Sequence, residues 1–140
     1  MIILDTNVLS SLMHENADSR IQAWLDRQPV LSVWTTTITL YEIRFGIELL
    51  PAGQRRQALE TAFRKILVDE LNQQVLMFDN AAAEHAAALD AGRRKRGKKI
   101  DPRDTFIAGI ALAQRARLAT RNTKHFSDLK VPVVDPWAAS

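Results

Sequence analysis

The chain begins Met1-Ile2-Ile3-Leu4-Asp5-Thr6-Asn7, a short apolar run that ends abruptly on a carboxylate. A run of this kind is typical of a buried strand in a parallel sheet. Ligands of open α/β sheets bind just beyond the carboxyl ends of such strands, so Asp5 stands where chemistry is expected. The same position also suits an aspartate that caps a helix beginning near Asn7, and the opening residues leave both interpretations open.

Short apolar segments alternate with helical patterns along the rest of the chain. After the first strand, further strands are predicted at residues 30–34, 75–78, 118–120 and 131–134. Helices are predicted over about residues 7–15, 19–27, 37–50 and 54–71, from residue 80 to a basic block at 93, and over 102–115. This alternation predicts an α/β fold with three layers, in which a short, mostly parallel central sheet is flanked by helices on both faces.

The composition limits the class of protein. The 140 residues fit one domain, 1–140, which is large enough to bury a core without covalent cross-links. Cysteine is absent, which excludes a disulfide framework, a thiolate metal site and a cysteine nucleophile. No apolar run approaches the roughly 20 residues needed to cross a bilayer, and no secretory leader pattern is present. We therefore expect a soluble, cytoplasmic protein that does not bind membranes.

Positive charge is concentrated in one block. The chain carries 19 Lys and Arg against 16 Asp and Glu, a formal net charge of +3. A dense group of these cations lies at Arg93, Arg94, Lys95, Arg96, Lys98 and Lys99. Such a block is either a solvated face or a contact for phosphate or an acidic partner, and the sequence leaves both open.

Glu42 is the first of two further carboxylates that stand out. It lies early in the predicted third helix, and the helical period places it within about one residue of the inner side formed by Ile38, Tyr41 and Phe45. An acid among buried neighbours is costly unless it is paired or bound to a metal. The alternative is a glutamate that is simply favoured near the positive end of the helix dipole.

Asp104 is the second such carboxylate, one turn into the helix that starts at Asp101-Pro102. Asp101 suits the N-cap, with proline at the first helical position, where its missing N–H costs nothing. Asp104 then has a fixed backbone and is a good rigid ligand, although a secondary capping role is also open. Asn122 follows a predicted strand at the same sheet edge as Asp5, where it is either a turn residue or a neutral oxygen ligand.

Oxygen ligands of this kind select hard divalent cations, Mg²⁺ or Mn²⁺, over zinc. The histidines, His14, His85 and His125, have no metal-ligand spacing and are expected at the surface. Thr6 and Thr120 are candidates to orient the ligands. Such cations bind phosphate oxygens and orient an attacking water, so an acidic pocket near a basic surface points to phosphodiester cleavage.

Four motifs together resemble those of PIN-domain ribonucleases, and in particular the VapC toxins of bacterial toxin–antitoxin pairs in their FitB-like branch. The motifs span the chain in the family's order: Ile3-Leu4-Asp5-Thr6-Asn7, Tyr41-Glu42-Ile43, Asp104-Thr105-Phe106-Ile107-Ala108 and Ala119-Thr120-Arg121-Asn122-Thr123-Lys124-His125-Phe126. Each motif is weak alone, and the four together are specific.

The resemblance implies a PIN-like fold and a Mg²⁺- or Mn²⁺-dependent endoribonuclease that acts as a toxin. Asp5, Glu42 and Asp104 match the family's acidic triad, and Asn122 matches a fourth position where many relatives have aspartate. The resemblance also implies neutralisation by a cognate VapB-like antitoxin that binds operator DNA, and a homodimer. On this hypothesis, metal held by Asp5 and Asp104 activates water for in-line attack on RNA, with Glu42 and Asn122 completing the shell.

Three other functions compete with this one. A phosphotransferase of the haloacid-dehalogenase type needs a second aspartate where Asn7 stands, which argues against that class. A nucleic-acid-binding module without catalysis would use the basic block alone and would leave Asp5, Glu42 and Asp104 unexplained. A PIN-type nuclease that is not a toxin remains open.

Overall fold

A parallel sheet forms the centre of the protein. In the computed structural model, which describes residues 1–138, its strands are β1 (Ile2–Leu4), β2 (Val33–Thr36), β3 (Val75–Leu76), β4 (Arg117–Ala119) and β5 (Val133–Val134). Their order across the sheet is β3-β2-β1-β4-β5, and every pair is parallel. The predicted α/β class and parallel sheet are confirmed. Residues 139 and 140, at the end of the predicted domain, lie outside the described part of the chain.

Helices connect these strands. They are α1 (Thr6–Leu12), α2 (Ser19–Asp26), α3 (Thr37–Glu48), α4 (Gln54–Lys65), α5 (Asn80–Lys95) and α6 (Pro102–Gln114). Aspartate side chains cap three of them: Asp18 begins α2, Asp79 begins α5, and Asp101 begins α6, the last as predicted. Across residues 1–138, no helix is both long enough and apolar enough to span a membrane.

The two faces of the sheet carry separate cores. Successive side chains of a strand point to opposite faces, and all three residues of β1 are fully buried. Ile2 and Leu4 pack with residues of α1, α2, α3 and α4, whereas Ile3 packs with residues of α5 and α6. This division gives the predicted three layers, with β1 in the middle of the molecule.

The second strand begins later than the sequence pattern predicts. Residues Val30–Ser32 form a 3₁₀ turn closed by a bond from the Ser32 N–H to the Pro29 carbonyl (2.9 Å), and β2 runs over Val33–Thr36 instead. Thr35 and Thr36 belong to this strand, because they pair with Val75 and Leu76 of β3. The hydroxyl of Thr35 also donates to the Leu4 carbonyl at 3.2 Å. Both threonines are fully buried, and their β-branched side chains suit a strand. The hydroxyl of Thr36 also accepts from the Thr39 N–H and caps α3.

Other boundaries shift by a few residues. The pattern that predicts one helix over 54–71 is divided between α4 and a π-helical turn, Ile66–Glu70. The strands predicted at 75–78 and 131–134 are shorter, with only two paired residues each in β3 and β5. The sheet is thus narrow at both edges, and its longest pairing lies at the centre, where β1 meets β4 over three residues.

Helices α5 and α6 approach each other closely at Gly109. A Cβ atom on Gly109 would lie 2.5 Å from the Ala82 carbonyl oxygen and 2.8 Å from the Ala86 Cβ. Only glycine allows this separation, and two alanines on α5 complete the contact. The close packing fixes α6, and with it Asp104, against the rest of the fold.

Candidate active site

The candidate active site lies where β1 and β4 end side by side. Leu4 pairs with Ala119 in the parallel register, so Asp5 and Thr120 follow at neighbouring carboxyl ends. In the sheet, β1 has β2 on one side and β4 on the other, so the strand order reverses at β1. The carboxyl end of β1 is therefore the topological switch point of the sheet. Open α/β sheets bind their ligands at such points.

Asp5 caps α1, as one interpretation of the opening residues predicted, and it is also a buried acid at the end of β1. Its Oδ1 accepts from the Thr6 N–H at 2.8 Å and caps α1, and its Oδ2 accepts from the Thr120 hydroxyl at 2.7 Å. The side chain is almost fully buried, with 2% of the residue exposed. Burial raises the pKa of Asp5 from 3.8 to about 6; the two hydrogen bonds oppose this, and the charges of Asp104 and Glu42 add to it.

Glu42 reaches the same region from α3. Its Oε1 accepts from the Thr6 hydroxyl at 3.0 Å, so Thr6 contacts Asp5 through its amide and Glu42 through its side chain. Arg103 Nη1 lies 3.8 Å from Glu42 Oε2. Partial burial raises the pKa of Glu42; the Thr6 bond and Arg103 oppose the rise, and Asp104 adds to it. Glu42 therefore shares Thr6 with Asp5, and its charge interacts with that of Asp104.

The predicted inner side of α3 is wrong in part. Tyr41 and Phe45 are exposed and stack on each other with ring centroids 6.0 Å apart. The buried side is formed by Thr39, Ile43 and Ile47, which rotates the core-facing stripe away from the predicted one. Glu42 consequently lies at the edge of the buried surface, where a carboxylate can meet both solvent and the site.

Asp104 lies in the first turn of α6, while Asp101 caps that helix as predicted. Asp104 Oδ2 lies 2.7 Å from Nδ1 of His125, whose side chain is about half exposed. The sequence interpretation placed His125 at the surface and gave it no role. Spacing along the chain could not have linked it to Asp104, since the two come from different elements that meet only in the fold.

Asn122 follows β4 and precedes a 3₁₀ turn, Thr123–Phe126, at the same sheet edge. Its backbone N–H donates to the Thr120 hydroxyl at 3.0 Å, and its side chain is exposed. Asn7 adds a further link, because its Nδ2 lies 3.3 Å from that hydroxyl and 3.4 Å from Asp5 Oδ2. Thr6 and Thr120 therefore orient the acidic residues, as their positions predicted.

The chemistry of the donors fits a hard divalent cation. The negative charges of Asp104 and Glu42 add to the raised pKa of Asp5, and the charge of Asp104 adds to that of Glu42. A bound cation would relieve this repulsion. Within the described chain, no three or more His, Asp or Glu side chains are already arranged as a metal-binding cluster. Protein donors hold these acids instead, Thr120 on Asp5 and His125 on Asp104.

The basic block is not uniform. Arg93 is fully buried and paired with Asp128, so the expectation that it belongs to a solvated or RNA-contacting face is wrong for this residue. Helical geometry turns Arg93 inward from α5, whereas residues 94–99 are exposed. Arg96 also contacts Asp128, at 3.1 Å.

A family model described as the PIN domain matches residues 2–132 of the chain. The chain therefore belongs to the PIN-domain family. It is similar to the VapC ribonuclease Y4jK of Sinorhizobium fredii, with 36% identity over 137 residues that cover 98% of both chains. It is also similar to the toxin FitB of Neisseria gonorrhoeae, with 32% identity over 137 residues that cover 98% of this chain and 99% of FitB.

Solved structures of such proteins share the whole fold. FitAcB from Neisseria gonorrhoeae matches with a TM-score of 0.88 at 32% identity, covering 99% of this chain and 100% of that one. DNA-bound VapBC from Salmonella typhimurium matches with a TM-score of 0.80 at 26% identity, covering 96% and 97%. The predicted PIN-like architecture and the predicted place among the VapC and FitB proteins of toxin–antitoxin systems are confirmed.

Proposed function

We propose that the protein is a divalent-metal-dependent endoribonuclease that acts as the toxin of a type II toxin–antitoxin pair. The observation that carries this proposal is that Asp5 and Glu42 are both hydrogen-bonded to Thr6 at the switch point of the sheet, where the negative charge of Asp104 acts on both of them. The names of two relatives, a VapC ribonuclease and the toxin FitB, support the same activity.

Asp5 and Asp104 would hold Mg²⁺ or Mn²⁺, with Glu42 and Asn122 completing the shell directly or through water. The cation supplies Lewis-acid chemistry, since it polarises a phosphoryl oxygen and makes a water molecule more acidic. Oxygen ligands alone favour these hard cations over zinc.

The protein's own groups prepare the site for this role. Thr120 and Thr6 fix the two oxygens of Asp5, and Thr6 also fixes Glu42. A cation requires ionised carboxylates. Burial disfavours the ionised form of Asp5, and the hydrogen bonds from these threonines favour it. Such orienting partners commonly decide how well a ligand set binds its metal.

The RNA substrate is a polyanion, and the exposed part of the basic block is suited to its backbone. Lys95, Lys98 and Lys99 are exposed at and beyond the end of α5. They precede Asp101 and α6, the helix that carries Asp104. We propose that these lysines guide RNA toward the carboxylates through phosphate contacts.

We also propose a cognate antitoxin that contacts operator DNA on behalf of the complex, and a homodimer of this chain. Support comes from a relative solved as DNA-bound VapBC, and from an exposed apolar stripe on α3. Tyr41 and Phe45 lie one turn apart on that helix, Leu49 follows one turn later as its C-cap, and the three are 58%, 49% and 70% exposed. An exposed apolar stripe of this kind indicates a protein interface. The mass of the isolated protein in solution tests the homodimer. Co-purification with the product of the neighbouring reading frame tests the antitoxin.

Cleavage of RNA by the purified protein tests the proposed activity. Cleavage should require Mg²⁺ or Mn²⁺ and should stop when EDTA is added. Asp5→Asn should abolish both cleavage and growth arrest in bacteria while the fold is retained. Asp79→Asn is the matched control, because Asp79 also caps a helix, that of α5, away from the carboxylates.

The outcomes separate the alternatives. Full cleavage by Asp5→Asn, or cleavage unaffected by EDTA, would contradict the proposed mechanism. RNA binding without any cleavage would favour a binding module. Metal-dependent cleavage without growth arrest, and without neutralisation by a neighbouring gene product, would identify a PIN-type nuclease that is not a toxin.

A further inference from the structure

Arg93 is a fully buried arginine that contacts residues next to the candidate site. Its guanidinium forms a two-pronged pair with Asp128, from Nε to Oδ2 at 3.0 Å and from Nη2 to Oδ1 at 2.9 Å. Two more bonds run from Nη1 to the Thr105 hydroxyl at 3.1 Å and from Nη2 to the His125 carbonyl at 2.8 Å. Arginine is seldom buried this completely, and here its donors reach two different segments.

Those two segments are the ones that carry Asp104 and its partner. Thr105 is adjacent to Asp104 on α6, and His125 contacts Asp104 through Nδ1 at 2.7 Å. The contacts form a closed ring: Arg93 to Thr105, along the chain to Asp104, across to His125, and from the His125 carbonyl back to Arg93. One side chain from α5 thus sets the separation of the two segments that hold Asp104.

A contribution to stability alone does not account for this arrangement. A buried ion pair is often no more stabilising than apolar side chains of similar volume, because both charges lose their hydration. Hydrogen bonds from Arg93 hold the pKa of Asp128 below its usual range, so the pair is charged. Lysine could not replace Arg93, since an ammonium group lacks the planar fork that reaches three partners at fixed angles.

We propose that Arg93 is a positioning residue, which fixes Asp104 and His125 relative to each other so that Asp104 is presented correctly to a divalent cation. The expected effect on RNA cleavage rests on the proposed function. The fixed arrangement of Asp104 and His125 rests on the contacts alone. Asp128 assists by orienting the guanidinium, and Arg93 itself touches neither metal nor RNA.

Two pairs of variants test the proposal. Thr105→Val removes one acceptor of Arg93 at nearly constant volume, and Thr105→Ser keeps the hydroxyl. Arg93→Met removes all the contacts, and Arg56→Met is its matched control. Arg56 also bonds three groups, Glu48, Glu60 and the Leu50 carbonyl, but it lies at the junction of α3 and α4.

Three readouts are compared in variants that retain a cooperative unfolding transition. They are Mn²⁺ affinity by titration, the imidazole NMR signals of His125 in the metal-free protein, and kcat and KM for RNA. Thr105→Val should weaken Mn²⁺ binding and lower kcat by roughly 10-fold or more, with KM little changed and the His125 signals displaced. Thr105→Ser and Arg56→Met should match the parent protein in all three.

The proposal is overturned if folded Thr105→Val and Arg93→Met keep the parent Mn²⁺ affinity and His125 signals. It is also overturned if Arg56→Met weakens Mn²⁺ binding as much, since the effect would then follow general destabilisation. Should Arg93→Met fail to fold, the two Thr105 variants decide. Should the parent protein cleave no RNA, the proposed function fails, while Mn²⁺ affinity and the His125 signals still decide this inference.

Discussion

Thr120 donates a hydrogen bond of 2.7 Å to Asp5 Oδ2, although 115 positions separate the two residues in the chain. The bond follows from the parallel pairing of β1 with β4, which brings the ends of both strands to one edge. It is the contact that opposes most strongly the effect of burial on Asp5. The ionised state of Asp5 therefore depends on a residue that is distant in the sequence but adjacent in the fold.

Thr120→Val should impair the site without unfolding the protein. Loss of the hydroxyl raises the pKa of Asp5 further and leaves its Oδ2 poorly oriented, so metal binding at pH 7 weakens. We expect roughly 10- to 100-fold less cleavage at limiting Mg²⁺, measured as a Mg²⁺ titration of initial rates. Thr120→Ser retains the hydroxyl and should stay near the parent curve; equal losses in both variants would assign the effect to packing.

The free energy of unfolding of the metal-free protein should depend on pH through the titration of Asp5. The pKa is higher in the folded state, about 6 against 3.8, so the folded protein binds the proton more tightly. The stabilisation is fully present below pH 3.8 and is lost as the pH rises through 6, by about 3 kcal/mol in total. Relative to the parent, Asp5→Asn should therefore gain stability between pH 4 and pH 7.5.

Urea unfolding of both proteins at the two pH values, in the presence of EDTA, measures this change. Asp79→Asn serves as the control, because it makes the same substitution at an exposed helix cap. A constant difference between the parent and Asp5→Asn from pH 4 to pH 7.5 would show that Asp5 titrates normally in the folded state.

Gly109→Ala should destabilise the fold by forcing α5 and α6 apart. The new methyl group would lie 2.5 Å from the Ala82 carbonyl, and backbone cannot yield as a flexible side chain does. We expect a loss of about 1–3 kcal/mol in the free energy of unfolding. Gly46→Ala on α3 is the control: no atom lies within 4 Å of its added Cβ, so that variant should gain up to about 1 kcal/mol. Equal effects at both positions would contradict the packing described here.

Removing charge from the exposed part of the basic block should weaken RNA binding rather than chemistry. The triple variant of Lys95, Lys98 and Lys99 to Gln should raise KM, leave kcat nearly unchanged and flatten the dependence of KM on salt. The same number of charges removed from α4, at Arg55, Arg64 and Lys65, is the control. If both triple variants behave alike, the effect comes from net charge and not from a defined RNA path.

The sequence was most informative for residues that local patterns place at strand ends or in the first turns of helices. A strand end points to Asp5, a helix start points to Asp104, and the helical repeat points to Glu42; in the fold the charges of the three residues interact. Periodicity failed for Tyr41 and Phe45, since the helical repeat gives the spacing of an apolar stripe but does not show whether the core or a partner covers it.

Tertiary contacts explain what the sequence could not supply. Arg93 looked like any other cation of its block, and its burial depends on Asp128, Thr105 and His125 meeting it from two later segments. His125 likewise gained its partner only through the fold. No spacing rule links residues that far apart, so roles of this kind become visible only in three dimensions.

Binding of Mn²⁺ to the purified protein, followed by calorimetry at pH 7.5, tests the central claim most directly. The parent protein and Asp79→Asn should bind the ion, and Asp5→Asn and Asp104→Asn should each bind it at least roughly 10-fold more weakly. Unchanged Mn²⁺ affinity in folded Asp5→Asn and Asp104→Asn would contradict the claim that these two carboxylates share a metal ion.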